Sequence, residues 1–153
     1  MQRLAVTFRP LPATPPHFDP ILEACIALRR ATRVPFEVAH ARAWRVRFAR
    51  YSGFARRALV AHILRAERAD SEVNGIAAER PFLLPLIARQ AGEHTDLLCR
   101  SHQLVEDSLA LSQPRLWDMV ELAERAKVLE RDVERHHDRL LTIVYEARLR
   151  EFG

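Results

Sequence analysis

The chain predicts an all-α fold, arranged as an up-and-down four-helix bundle, on three observations. Gly53, Gly75, Gly92 and Gly153 are its only four glycines, while Ala, Leu, Arg and Glu dominate; such a composition favours helix over strand. Apolar side chains recur at three- and four-residue intervals over long stretches, the period of one helix face. Prolines gather where those stretches begin and end, as expected of a residue that cannot sit inside a helix. With 153 residues, 48% of them apolar, there is material for one core, and one domain is the working size.

The elements follow in order. Pro10, Pro12, Pro15 and Pro16 remove helix from residues 1–18 and predict a proline-rich N-terminal arm, with a bundle domain over residues 19–153. In "FDPILEACIALRRATRVP" Asp19 caps a first short helix, Pro20 takes its first position and Pro35 ends it. A second helix is expected from Glu37 to Asp70, with Trp44, Phe48, Tyr51, Ala55, Ala58, Leu59 and His62 inward and a kink at Gly53. Asn74-Gly75 in "SEVNG" signals a turn. The third helix runs from Pro81 to Ser112 with Leu83, Ile87, Ala91, His94, Leu98, Val105 and Leu109 on its inner face. After Pro114 a fourth carries the longest stripe, Leu122, Ala126, Leu129, Val133, His136, Leu140, Val144 and Ala147. One short and three long amphipathic helices with short connections cover one another as a four-helix bundle.

Several function classes are set aside by what is missing. No run of about eighteen apolar residues is present and no compact apolar segment opens the chain, so the expectation is a cytoplasmic protein with no membrane partner. Cys25 and Cys99 have neither CxxC spacing nor the density of a disulfide scaffold, and are expected as buried free thiols. There is no Gly-rich phosphate loop, nucleophile elbow or spaced carboxylate pair, so the chain is not expected to be an enzyme.

A sequence pI near 9.8 raises nucleic acid as a partner. Its distribution weakens that reading: residues 1–68 hold 13 Arg against Asp19, Glu23, Glu37 and Glu67, a balance of +9, and the remainder carries 11 cations against 16 acids, or −5. A basic first half packed against an acidic second half pairs its charges internally. In "ARAWRVRFARYSGFARR" the aromatics Trp44, Phe48 and Tyr51 fall on the apolar side, toward the core rather than toward bases. An Arg-rich face binding nucleic acid is therefore the third-ranked function.

Three histidines stand in the apolar stripes, one per long helix: His62, His94 and His136. At about 1.5 Å per residue, His94 lies about 20 Å into the third helix, His136 about 30 Å into the fourth, and His62 about 12 Å before the end of the second. They are expected to meet in one layer, where neutral imidazoles suit Fe, Zn, Cu or Ni. His137 is turned by about 100° from His136 and belongs at a helix boundary. His102 and Glu106, one helical turn apart, form a local pair in another layer; His17 and His40 are expected in solvent.

Four segments, opened by Trp44 and continuing with "AHILRAE", "EHTDLL" and "ERHHDRLLTIVYEARLREFG", resemble the hemerythrin-like (HHE cation-binding) family. The resemblance is to a divergent bacterial branch and covers about residues 44–153. It implies a bundle whose core of histidines and carboxylates binds a pair of irons that carry oxygen or nitric oxide, or sense oxygen and iron. His62, His94 and His136 match the family histidines of the second, third and fourth helices. Ala66 and Leu140 stand where carboxylates would bridge the metals, Glu67 is one step late and directed about 140° from His62, and the first helix has no histidine unless His17 folds back. These departures argue against an intact di-iron centre and leave a reduced site for one Fe or Zn, held by His62, His94 and His136, with Glu67, His102, Glu106 and His137 as supporting or alternative ligands. The leading expectation is a metal-binding or sensing module; the alternative is a metal-free bundle that acts through protein contacts or self-association.

Overall fold

The computed structural model describes residues 19–149. The expected arm, with His17, and the last four residues of the "YEARLREFG" tail lie outside them. Among the described residues all regular structure is helical, in five α-helices: α1 Pro20–Thr32, α2 Ala41–Ala66, α3 Glu72–Glu79, α4 Leu84–Ala110 and α5 Leu116–Leu149. The Asp19 side chain accepts from the Ile21 N–H at 3.1 Å and Pro20 follows at the first position, so α1 begins as its cap dictates.

Three boundaries depart from the sequence reading. The second helix is shorter than expected, because Val38–His40 form a separate 3-10 turn and the chain leaves the helix after Ala66. α2 also runs unbroken through Gly53, where nothing forces a change of direction. The expected Asn74-Gly75 turn is a helix instead: the Ser71 hydroxyl accepts from the Asn74 N–H at 3.2 Å and starts α3. An Asn-Gly turn of the hairpin type needs positive φ, and no described residue has it.

Four helices pack in a ring, α1 against α2 and α5, and α4 against α2 and α5. Inside it Ile21, Leu28, Phe48, Leu59, Met119 and Val133 are fully enclosed. On α4 Ile87, His94 and Val105 are buried as expected, and three other positions differ. Ala91 and Leu109 are exposed and Leu98 is half-buried, while Gln90, Leu97, Ser101, Leu104 and Ser108 point inward. The serines are accommodated because Ser101 Oγ donates to the Leu98 carbonyl and Ser108 Oγ to the Val105 carbonyl, at 2.8 and 2.7 Å. On α5, Ile143 takes the inward place expected of Val144. A second cluster, Leu83, Ile87, Ile143 and Ala147, is covered by Val73, Ile76 and Ala77 of α3, which closes one end of the ring. Of the cysteines, Cys25 is buried, which pushes its thiol up to about 11 with Glu134 and Glu130 adding to the effect; Cys99 is exposed, against expectation.

Among the described residues, the expected pairing of a basic half with an acidic half is limited to Arg29 of α1 and the local pair Arg68–Asp70. Arg29 meets Glu130 at 2.8 Å and Glu134 at 2.6 Å on α5. No described arginine of α2 makes such a bridge to α4 or α5: Arg45 reaches the end of α4 but donates to the Leu111 carbonyl at 2.7 Å, and Arg42, Arg47, Arg50, Arg57 and Arg65 are exposed.

Phe48 is 0% exposed and stacked on Trp44 at 4.7 Å. Phe48→Ala is expected to lower the unfolding free energy by about 3–5 kcal/mol, read from the urea midpoint at constant slope.

Candidate metal centre

His62 comes from α2, His94 from α4 and His136 from α5, and the three are 5%, 6% and 1% exposed. Helical spacing from flanking apolar residues, Leu59 and Ile63 beside His62 and Val133 beside His136, turns each ring inward. Ring centroids lie 5.1–5.6 Å apart. One nitrogen from each ring lies within 4.8 Å of the other two, with His62 Nε2 and His136 Nε2 at 3.2 Å. A tetrahedral zinc with about 2.0–2.1 Å bonds sets its nitrogens roughly 3.4 Å apart, so small rotations of the rings suffice to hold one ion.

The outer edges of two imidazoles are fixed by carboxylates. His136 Nδ1 lies 3.0 Å from Glu93 Oε2, and His94 Nδ1 lies 3.2 Å from Glu67 Oε1. A carboxylate accepts, so each Nδ1 carries the proton and each Nε2 keeps its lone pair for the centre. Glu93 also takes the Arg139 guanidinium at 2.5 Å. Burial pushes the Glu93 carboxyl up, but the hydrogen bonds from His136 and Arg139 outweigh it and leave it below the ordinary range. Gln90, 4% exposed, donates to the His136 carbonyl at 2.6 Å and ties α4 to α5 at this level.

Beside the rings opens a cavity of about 210 Å³, walled by Ala66, Val73, Ile87, Ala91 and Leu140 with Glu67 and Asn74 at its edge. Ala66 and Leu140 put apolar side chains on its wall and offer no oxygen to the centre. Glu67 does not point away from the site: it follows the last residue of α2 with a helical backbone, its N–H on the Ile63 carbonyl, and its carboxylate reaches His94 of the neighbouring α4.

The remaining candidates are elsewhere. His102 and Glu106 face each other at 3.9 Å on the exposed side of α4. His137 lies between α5 and the start of α1, its Nδ1 3.5 Å from Asp19 Oδ2. His40 is exposed beside Glu37 at 2.7 Å. Sequence reasoning missed Glu93 and Gln90. Their signal was present, because Glu93 adjoins His94 in "GEHTD" and Gln90 precedes His94 by one helical turn, but both were hidden by placing the inner face of α4 one position off.

Burial, followed by the neighbouring His136 and His94, lowers the His62 imidazole from 6.5 to about 4. Burial also lowers His136, with Glu93 opposing. For His62 the unfolded chain takes up a proton near 6.5 and the folded one does not until about 4, so this stability is full above the first value and lost as pH falls toward the second. In chelator-treated protein, a loss of about 3 kcal/mol over that window is expected from a shift of this size. His62→Leu flattens the profile of urea midpoint against pH; an unchanged profile places the titration elsewhere.

No protein-family model, curated protein or solved structure matches the chain.

Proposed function

We propose that the chain is a hemerythrin-like, up-and-down four-helix bundle that holds a single transition metal, Zn(II) or Fe(II), through His62, His94 and His136, and serves as a binding or sensing module. One observation carries the reading: three buried imidazole nitrogens from three helices converge within 4.8 Å, with two of the rings oriented from behind by carboxylates. Such carboxylate–histidine pairs fix the tautomer and strengthen the imidazole as a ligand. The donor set is all nitrogen, which suits a borderline ion better than Mg or Ca.

A single ion is favoured over two. Glu67 and Glu93 engage the outer ring edges, and the positions that would supply bridging oxygens are Ala66 and Leu140. The ion, when bound, supplies a Lewis-acidic centre facing the cavity. Around it His94 and His136 keep their protons on Nδ1, while the walls limit access to small molecules.

Elemental analysis of untagged protein, reconstituted anaerobically with Fe(II) or in parallel with Zn(II), is expected to return about one equivalent, by the three-nitrogen set. His94→Ala is expected to lose it. Retention of two irons contradicts the single-ion site, and no metal under either condition leaves a metal-free bundle. Glu93→Gln is expected to weaken metal affinity roughly 10–100-fold, measured by competition with a chromophoric chelator, as loss of a ligand-orienting group does.

A further inference from the structure

The outer face of α2 carries cations without counterions. Arg42, Arg47, Arg50, Arg57 and Arg65 are exposed, and among the described residues none has a carboxylate within 4.0 Å. The residues outside that span add Glu151 as their only acidic side chain. α4 and α5 show the opposite pattern: Arg89, Arg100, Arg125, Arg135, Arg139 and Arg148 each meet a carboxylate.

Four of the free cations form a row. Arg47, Arg50, Arg57 and Arg65 fall within an arc of about 80° at roughly 100° per residue, over a length of about 27 Å. Phe54 lies among them, and the guanidinium carbons of Arg50 and Arg57 sit 5.6 and 4.7 Å from its ring centroid. That contact positions both guanidinium groups without using their hydrogen-bond donors. Beside the row, between α1 and α2, runs a groove of about 550 Å³ to which Arg30 adds another free cation and Glu23 a single carboxylate.

We propose that this row is a docking surface for the sugar–phosphate backbone of a nucleic-acid duplex. A duplex presents one negative charge per about 1.7 Å of axis, so a straight row of four guanidinium forks finds a phosphate within reach of each along its length. Arginine is the residue for the task, since its planar fork takes phosphate oxygens two at a time. Every cation of the row is Arg. α1 flanks α2, which keeps the helix out of a groove and limits contact to phosphates, so binding is independent of sequence. A phospholipid surface is a poorer fit, because interfacial helices insert a continuous apolar face. The apolar member of this row, Phe54, is 39% exposed and flanked by two guanidiniums.

The test is fluorescence anisotropy of the full chain with two unrelated 20-base-pair DNA duplexes over a potassium chloride series. Both are expected to bind at low salt with dissociation constants of roughly 1–100 μM, and log K is expected to fall against log salt with a slope of about −3.6 for four contacts. Arg50→Gln/Arg57→Gln, and separately Arg47→Gln/Arg65→Gln, should each reduce the slope by about 1.8, with unchanged helical circular dichroism. Arg131→Gln, an exposed arginine of α5 without a carboxylate partner, should leave it unchanged. No binding at low salt, or equal slopes in both double variants and the parent, overturns the proposal. Binding to phosphatidylserine vesicles without binding to either duplex replaces nucleic acid by a lipid surface.

Discussion

Three imidazoles buried at one level of an apolar core set the terms for everything around them. A buried polar group without a partner costs roughly 1–3 kcal/mol by mutational measures, so the rings bring polar partners into the core with them. Glu93 and Glu67 answer for the outer nitrogens of His136 and His94. His62 Nε2 and His136 Nε2 answer for each other at 3.2 Å. Arg139 then holds Glu93 in place, and Gln90 secures the α5 carbonyl at the same height. α3 completes the enclosure through Val73 and Asn74 at the cavity and Ile76 beneath it. The same short helix covers the apolar cluster of Leu83, Ile87, Ile143 and Ala147, so the polar layer and this end of the core are closed together.

Helix periodicity made most of this legible. Stripes on α2 and α5 follow from residues that are apolar wherever the helix faces inward, so His62 and His136 could be placed from their neighbours alone. α4 was harder, because Gln90, Ser101 and Ser108 occupy inner positions, and a search for apolar recurrence passes over them for Ala91, Leu98 and Leu109. The error of one position hid Glu93. Glu67 was misdirected for a different reason: its angle was measured from His62 on its own helix, whereas its partner is His94 on the neighbouring α4. The short helix α3 itself was read as a turn because Asn-Gly is a strong local signal, which the Ser71 cap and burial of Val73 and Ile76 override.

Charge obeys a different logic from packing. The sequence balance of +9 over residues 1–68 and −5 beyond them invites the inference that the halves neutralise each other. Neutralisation needs contact, and helices in a ring meet along their apolar flanks. On α4 and α5 the acids and bases share helices or adjoining edges and find each other at 2.5–3.7 Å. On α2 the acids are absent, Glu67 being spent on His94 at the far end. Exposed ion pairs contribute little to stability, so the fold tolerates the imbalance without being driven to correct it.

α2 therefore presents two independent surfaces. Its inner side supplies Phe48, Leu59 and His62 to the core, and its outer side supplies the arginine row. Arg65 follows His62 by three residues, about 60° around the helix from the imidazole, but it is exposed where His62 is buried, and no described side chain belongs to both sets. Substitutions that share no partner combine additively to within about 0.5 kcal/mol. Metal retention and salt-dependent association should accordingly respond to separate residues, which is what a helix of 26 residues with a single buried face permits.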